Sequence, residues 1–276
     1  MDNRPIGFFD SGLGGLTCIP YLMKRLPDEK IIYFGDTART PYGSKATATI
    51  KSFSKEIADF LVMNNVKMIV IACNTVSATC LEDLRERFPM IPVLGIIEPA
   101  ARKVADTCGS DNNIGIIGTK VTVASKAYEQ CICKYNDGLN IFEAACPAFV
   151  PLIEEGIIEN DIMDLTIKYY MDDFINKNKL DTVILGCTHY PLIKDNIKRL
   201  YPHIEIINPS SIIADDIESV LKKKDMLAKD SDFGNVFYAS DLSENFINMI
   251  DHIFENESEE ARVKFLNFDL ERGKEK

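Results

Sequence analysis

Short apolar runs alternate with amphipathic stretches along most of the chain. Runs such as 31–34 and 182–185 are uniformly apolar and only about one strand long, which is typical of strands buried on both faces of a parallel sheet. Between them, apolar residues recur at helical spacing, as they do from Ile50 through Phe53 and Ile57 to Leu61. The alternation predicts parallel sheets whose two faces are covered by helices.

The pattern places each element by its period and by the turn residues that bound it. We expect strands at 6–9, 31–34, 68–73, 93–97, 114–117, 141–145, 182–187, 204–207 and 236–239. We expect helices up to about residue 26, then at 50–61, 76–87, 98–105, 123–135, 147–155, 162–175, 192–200, from about 209 through 223, and at 244–254.

The two halves of the chain repeat the same order of elements. The apolar strand at 6–9 has a counterpart 108 residues later, and Cys73 has one 114 residues later in Cys187. Glu98-Pro99 and Asn208-Pro209 follow equivalent strands at an offset of 110. These three matches at nearly constant offsets, together with the shared order of elements, predict an internal duplication.

The predicted fold class is therefore α/β, with two similar doubly wound parallel-sheet, Rossmann-like domains related by duplication. The first domain is expected to be discontinuous, formed by residues 1–97 and 210–265, because the strand at 236–239 has no counterpart. The second domain spans 98–209, and 266–276 form a charged tail. Since ligands bind at the carboxyl ends of parallel strands, we expect the active site in the cleft between the domains.

Composition and charge exclude several classes of function. Lys and Arg total 31 against 42 Asp and Glu, which gives a net charge of -11, and no basic stripe would hold a nucleic-acid backbone. No apolar run reaches the length of a membrane helix, and the N-terminus lacks a signal peptide's apolar core. We expect a cytoplasmic protein that binds neither nucleic acid nor membrane.

Two of the eight cysteines occupy distinctive positions. Cys73 and Cys187 each end an apolar strand and precede small polar residues that start a helix, where free N–H groups stabilise a thiolate and bind carboxylates. The other six are interpreted as buried free thiols, because no Cys-x-x-Cys pair is present. With only three histidines, no metal site is expected.

A pair of thiols on opposite sides of a cleft is suited to inverting a stereocentre. One thiolate removes a proton from one face of a carbon, and the other thiol returns a proton to the opposite face. Asp10, at the end of the first strand, and His189, two residues beyond Cys187, are candidates to orient or exchange these protons. Each feature alone is more often structural, and the chemistry is favoured by their matching positions in a duplicated frame.

Two other classes of function stay open at this point. The turn at 12–15 resembles a dinucleotide-binding loop, which favours a redox protein that binds a nicotinamide cofactor. Thr17 stands where that motif requires its third glycine, so the match is weak. The chain is also compatible with a duplicated binding protein in which Cys73 and Cys187 are inert core residues.

Several sequence blocks together resemble the glutamate racemases, the cofactor-independent members of the aspartate/glutamate racemase superfamily. The resemblance spans nearly the whole chain and is specific because the blocks occur in order. They are DSGLGGLT at 10–17, YFGDTAR at 33–39, PYG at 41–43, ACNT at 72–75 and GCTHYP at 186–191.

The resemblance implies that Cys73 takes the α-proton of D-glutamate and Cys187 that of L-glutamate, assisted by Asp10 and His189. No cofactor is implied. The product is D-glutamate for bacterial peptidoglycan, a homodimer is expected, and the alternative substrate within the superfamily is aspartate or another amino acid. The resemblance also implies substrate contacts with Asp10, Ser11, Tyr42, Gly43, Asn74, Thr75, Thr188 and His189, with Thr119 as an addition.

Overall fold

The fold is built from two separate β-sheets with helices packed around them. A computed structural model describes residues 1–229, 234–242, 247, 250, 254, 264–269 and 274–275. Its strands are β1 Ile6–Asp10, β2 Ile31–Gly35, β3 Met68–Ile71, β4 Val93–Gly95, β5 Asn113–Gly118, β6 Asn140–Ala145, β7 Thr182–Gly186, β8 Glu205–Ile207, β9 Val236–Ala239, β10 Lys264–Asp269 and β11 Lys274–Glu275.

The helices follow the strands in the expected alternation. They are α1 Ile19–Arg25, α2 Thr47–Met63, α3 Asn74–Arg87, α4 Ile97–Thr107, α5 Lys120–Ser125, α6 Ala127–Tyr135, α7 Phe149–Glu154, α8 Asp161–Asn178, α9 Lys194–Leu200 and α10 Pro209–Lys223. Short 3₁₀ helices occur at Gly14–Cys18, Thr37–Arg39, Tyr42–Ser44 and Tyr190–Ile193. Among the described residues, no helix is long and apolar enough to cross a membrane.

The strand orders confirm the predicted duplication. In the seven-stranded sheet the strands lie in the order β11-β10-β9-β2-β1-β3-β4, and in the four-stranded sheet in the order β6-β5-β7-β8. The segment β2-β1-β3-β4 is therefore repeated as β6-β5-β7-β8, with parallel pairing throughout. β3 and β7 therefore occupy equivalent positions in the two sheets. Cys73 follows β3, and Cys187 follows β7.

Both faces of the first sheet are buried, as a doubly wound fold requires. Phe8 and Val70 face a core that contains residues of α1 and α10 and continues into the second half. Phe9 and Ile71 face a second core that contains residues of α2 and α3. Because successive residues of a strand point to opposite faces, a sheet covered on both sides demands apolar runs of this kind. The predicted fold class is confirmed.

Some helices begin or end at residues other than those predicted. α3 begins at Asn74, directly after Cys73, whereas the sequence indicated a start near Val76. The helix predicted over 123–135 is broken into α5 and α6, because Lys126 adopts a left-handed conformation with φ of 58°. The Ser125 hydroxyl accepts the Ala127 N–H there, and neither glycine nor proline marks this break in the sequence.

The C-terminal residues differ most from the expectation. β10 pairs in parallel with β9, and β11 pairs antiparallel with β10, so residues 266–269 and 274–275 extend the first sheet. The predicted charged tail is wrong for these residues. The apolar residues of the segment KFLNFD suit a strand, but the charged residues around it hid that signal. The helix predicted over 244–254 lies largely outside the described residues, and the exact domain boundaries stay a prediction.

A buried ion pair beside β3 connects the N-terminus to the segment that follows α10. Lys67 Nζ lies 2.6 Å from Glu29 Oε2, and both side chains are almost inaccessible to solvent. The same ammonium group donates to the carbonyl oxygens of Asp2 and Met226 at 2.7 Å each. Ala228 donates its N–H to Glu29 Oε1 at 2.8 Å. These bonds hold the segment after α10 beside the N-terminus. The chain then continues from this segment to β9.

Candidate active site

The two thiols lie at equivalent strand ends and line one cavity between the halves. Cys73 stands between β3 and α3, and Cys187 follows β7. Both are buried, with exposures of 4% and 6%. The cavity measures about 20 Å³. Of the residues expected to act on or bind the substrate, it is lined by Ser11, Tyr42, Gly43, Asn74, Thr75, Thr119, Cys73, Cys187, Thr188 and His189.

Asp10 lies behind the cavity and does not line it. The carboxyl group is fully buried at the end of β1. Its Oδ2 accepts the Gly12 N–H at 3.1 Å, and its Oδ1 accepts the Thr188 hydroxyl at 3.2 Å across the two halves. Burial raises the pKa of Asp10, and the charge of His189 opposes this shift. Asp10 therefore contacts Thr188, the neighbour of Cys187, and its charge contributes to the raised pKa of Cys73.

Cys73 is in its protonated form in this environment. Its thiol donates to the Ser11 hydroxyl at 3.4 Å. Burial, followed by the charge of Asp10, raises the pKa of Cys73 to about 12. The sequence suggested that the helix start would favour the thiolate, but here desolvation outweighs the N–H groups of α3. The raised pKa keeps Cys73 as a thiol at neutral pH.

Cys187 belongs to a different electrostatic environment, which contains a residue that the sequence analysis missed. We call residues 187–190 the Cys187 turn, closed by the Tyr190 N–H donating to Cys187 O at 3.1 Å. His189 Nδ1 lies 3.8 Å from Cys187 Sγ, and His189 Nε2 lies 3.1 Å from Glu154 Oε1. Glu154 ends α7 and had no distinguishing pattern, since Glu155 beside it looks the same in sequence.

Contacts with Cys187 and Glu154 together raise the pKa of His189. Burial alone would lower the pKa of His189, but the hydrogen bonds to Cys187 and Glu154 outweigh it and hold the pKa well above its usual value. The imidazolium donates to both partners. Cys187, His189 and Glu154 therefore form one chain of polar contacts that runs from the cavity to the end of α7.

Neutral polar groups complete the cavity wall. Asn74 Oδ1 accepts the Tyr128 hydroxyl at 2.6 Å. Within the described part of the chain, the buried Asn74 Nδ2 has no partner and is free to donate to a ligand. Thr75 Oγ1 lies 3.0 Å from Thr119 Oγ1 and 3.3 Å from Thr122 Oγ1. Tyr128 and Thr122 were not predicted as site residues, because neither belongs to a recognisable sequence block.

Tyr42 contributes to the wall differently from the other polar residues. Its hydroxyl donates to Asp36, whose carboxylate also accepts a bond from Arg39 Nε at 2.7 Å. The phenol is therefore occupied, and the backbone at 42–43 is what remains for a ligand. A Cβ atom on Gly43 would lie 2.5 Å from Thr119 Cβ, so only glycine permits this approach.

The glycine-rich turn does not form a nucleotide site. A Cβ atom at Gly14 would stand 2.5 Å from Thr188 Oγ1, so the Cys187 turn fills the space that a pyrophosphate would need. Among the described residues, no group of three or more His, Cys, Asp and Glu side chains is placed to hold a metal ion. The site offers two thiols, one imidazolium and several neutral donors.

Comparisons with known proteins agree with this chemistry. The family model described as Asp/Glu/Hydantoin racemase matches residues 17–217. The chain is 46% identical over 78% of its length to a glutamate racemase of Sulfurihydrogenibium sp., covering 82% of that protein. It is 42% identical over 90% of its length to a glutamate racemase of Geobacter metallireducens, covering 91% of it.

A solved structure extends the likeness to the fold. The glutamate racemase of Francisella tularensis in complex with D-glutamate superposes with a TM-score of 0.90 and 36% identity. The superposition covers 99% of this chain and 100% of that one. The resemblance inferred from the sequence blocks is confirmed.

Proposed function

The chain belongs to the Asp/Glu/hydantoin racemase family, and from this premise we propose that it interconverts L-glutamate and D-glutamate by proton transfer between two cysteines. It is an amino-acid racemase, an isomerase. The observation that carries the proposal is that Cys73 and Cys187 line one cavity from equivalent strand ends. The glutamate specificity is supported by relatives of that name across most of this chain.

The two thiols exchange roles with the direction of the reaction. With L-glutamate, the Cys187 thiolate takes the α-proton and the Cys73 thiol gives a proton to the opposite face. With D-glutamate, Cys73 removes the proton and Cys187 returns one. The raised pKa of Cys73 supports a resting thiol at that position, which is the form that gives a proton when L-glutamate is the substrate.

The remaining groups bind the substrate and stabilise the charge that develops on it. The N–H groups at the start of α3, together with Asn74 and Thr75, offer donors to a carboxylate. The backbone at 42–43, Ser11 and Thr188 line the rest of the cavity. Asp10 assists the thiols through its charge and His189 through its proton. The proposed reaction uses no cofactor and no metal.

The physiological role follows from the same family. We propose that the product D-glutamate is used for bacterial peptidoglycan, with the enzyme acting as a homodimer in the cytoplasm. The eight cysteines, none paired with another, suit a reducing compartment.

Circular dichroism of the purified protein with L-glutamate in deuterated water, followed by proton NMR at the α-carbon, tests the proposal. We expect loss of optical activity together with incorporation of α-deuterium and without any added cofactor. Persistence of both the optical signal and the α-proton would refute it. Reaction of aspartate in place of glutamate would keep the two-thiol chemistry and replace the substrate.

A further inference from the structure

The glycine-rich turn at 12–15 is the place where the first half supports the Cys187 turn. A Cβ atom at Gly14 would stand 2.6 Å from His189 Nδ1 and 2.8 Å from the His189 backbone nitrogen. Such distances are shorter than real Cβ atoms show, so a side chain at Gly14 would push the Cys187 turn away. The glycine allows backbone from one half to contact the catalytic turn of the other.

A single hydroxyl group fixes this contact. Thr17 Oγ1 lies 2.7 Å from Gly14 O, 3.1 Å from Thr188 O and 2.9 Å from Ser210 Oγ. A hydroxyl has one proton, so Thr17 shares its proton between the two carbonyls and accepts the proton of Ser210. Thr17 and Ser210 are 7% and 1% exposed, so water does not readily replace these bonds.

From these contacts we infer that Thr17 is a positioning residue for the reaction, because it holds the Thr188 carbonyl and thereby fixes the Cys187 turn against the first half. The inference rests on the proposed two-thiol reaction. Thr17 does not line the cavity and acts only through Thr188, which follows Cys187 directly and donates to Asp10. Proton transfer requires close and aligned atoms, so a small displacement of the Cys187 turn slows it strongly.

Three variants separate this role from a general loss of packing. Thr17→Val keeps the shape and removes the hydroxyl, and we expect kcat/KM to fall about tenfold. Thr17→Ser restores the hydroxyl and should return kcat/KM to near the wild-type value. Thr166→Val is the matched control, because its hydroxyl donates to Ile162 O within α8, far from both thiols in sequence, and should leave kcat/KM unchanged.

Deuterium isotope effects report which thiol is affected. The two enantiomers have equal free energy in water, so a variant must lower kcat/KM equally in both directions. Values of kcat/KM therefore cannot show which of the two thiols is affected. In Thr17→Val, transfer at Cys187 becomes slow relative to transfer at Cys73. The isotope effect on kcat/KM should therefore rise with α-deuterated L-glutamate and fall with α-deuterated D-glutamate. A general loosening of the structure would move both in the same direction.

Each outcome has a definite meaning. If wild-type protein racemises glutamate and folded Thr17→Val keeps both kcat/KM and the two isotope effects, the role of Thr17 is refuted while the proposed function stands. If wild-type protein exchanges no α-proton, the proposed function and this role fail together. Should Thr17→Val not fold, Ser210→Ala decides, with an expected fall of about threefold and the same asymmetry.

Discussion

Glu154 is the residue whose replacement best tests the electrostatic account of the site. Glu154→Gln keeps the length and one oxygen of the side chain but removes the negative charge 3.1 Å from His189 Nε2. The imidazolium then loses one of the two partners that hold its proton. We expect the variant to fold, because Glu154 stands at the end of α7 and is partly exposed.

The size of the effect follows from the geometry. A hydrogen bond that involves a charged group contributes about 1.5 to 3 kcal/mol, and solvent screening lowers that value. Because the Glu154 side chain is 23% exposed, the lower part of the range applies, about 1.5 to 2 kcal/mol. With about 1.4 kcal/mol for each factor of ten, kcat/KM should fall about ten- to thirtyfold, equally for both enantiomers.

The pH dependence of kcat/KM gives an independent test of the charge on His189. The pKa of His189 is raised in the folded protein. The stabilisation that its proton provides is therefore complete below about pH 6.5 and is lost as the pH rises through the raised pKa. Glu154→Gln lowers that pKa. The alkaline fall of kcat/KM should therefore begin at lower pH in the variant than in the wild type.

Racemisation rates followed by circular dichroism across the pH range measure both quantities. Glu155→Gln is the control, because it makes the same substitution at the next residue, which is exposed and has no side-chain hydrogen bond to His189. A Glu154→Gln variant with wild-type kcat/KM and an unshifted alkaline limb would refute the assignment of His189 as an imidazolium held by Glu154.

Four further variants test other parts of the structure. Cys73→Ala and Cys187→Ala should each abolish turnover of both enantiomers with an unchanged far-UV spectrum, because both transfers need both thiols and little volume is removed; measurable racemisation by either would contradict the mechanism. Tyr128→Phe removes the donor to Asn74 Oδ1 and should raise KM about two- to tenfold in saturation kinetics, whereas an unchanged KM would dissociate Tyr128 from binding. Lys67→Met leaves Glu29 buried without its cation and should cost about 3 to 5 kcal/mol in urea unfolding, and a loss below about 1 kcal/mol would contradict the burial of the pair.

The sequence was informative about the fold wherever burial alone determines the pattern. β1 and β5 are interior strands of their sheets, so their apolar runs and their positions in a duplicated order identified them. β10 lies near an edge, and charged residues around it concealed it. The break at Lys126 was not predicted, because a left-handed conformation there is supported by local hydrogen bonds and not by a glycine.

The same distinction applies to the candidate site. Cys73 and Cys187 were found because strand ends and helix starts are visible in sequence. Glu154 and Tyr128 were missed because their contacts, with His189 and Asn74, join residues 35 and 54 positions apart in sequence. Neither residue type nor spacing separates Glu154 from an ordinary surface glutamate. Residues that contact a candidate site residue from another element can be identified only in the folded structure.

The thiol cavity is smaller than the proposed substrate, so under the proposed function binding has to separate contacts inside the protein. A volume of about 20 Å³ holds roughly one water molecule, far less than glutamate. A larger cavity of about 160 Å³ adjoins it and shares Gly43 and Thr119 in its wall. Within the wall that the two cavities share, Thr119 packs against Gly43 and its hydroxyl lies 3.0 Å from Thr75 Oγ1. Under the proposed function Thr75 binds a substrate carboxylate, so it exchanges a hydroxyl partner for that carboxylate and the affinity for glutamate is the difference between the two interactions.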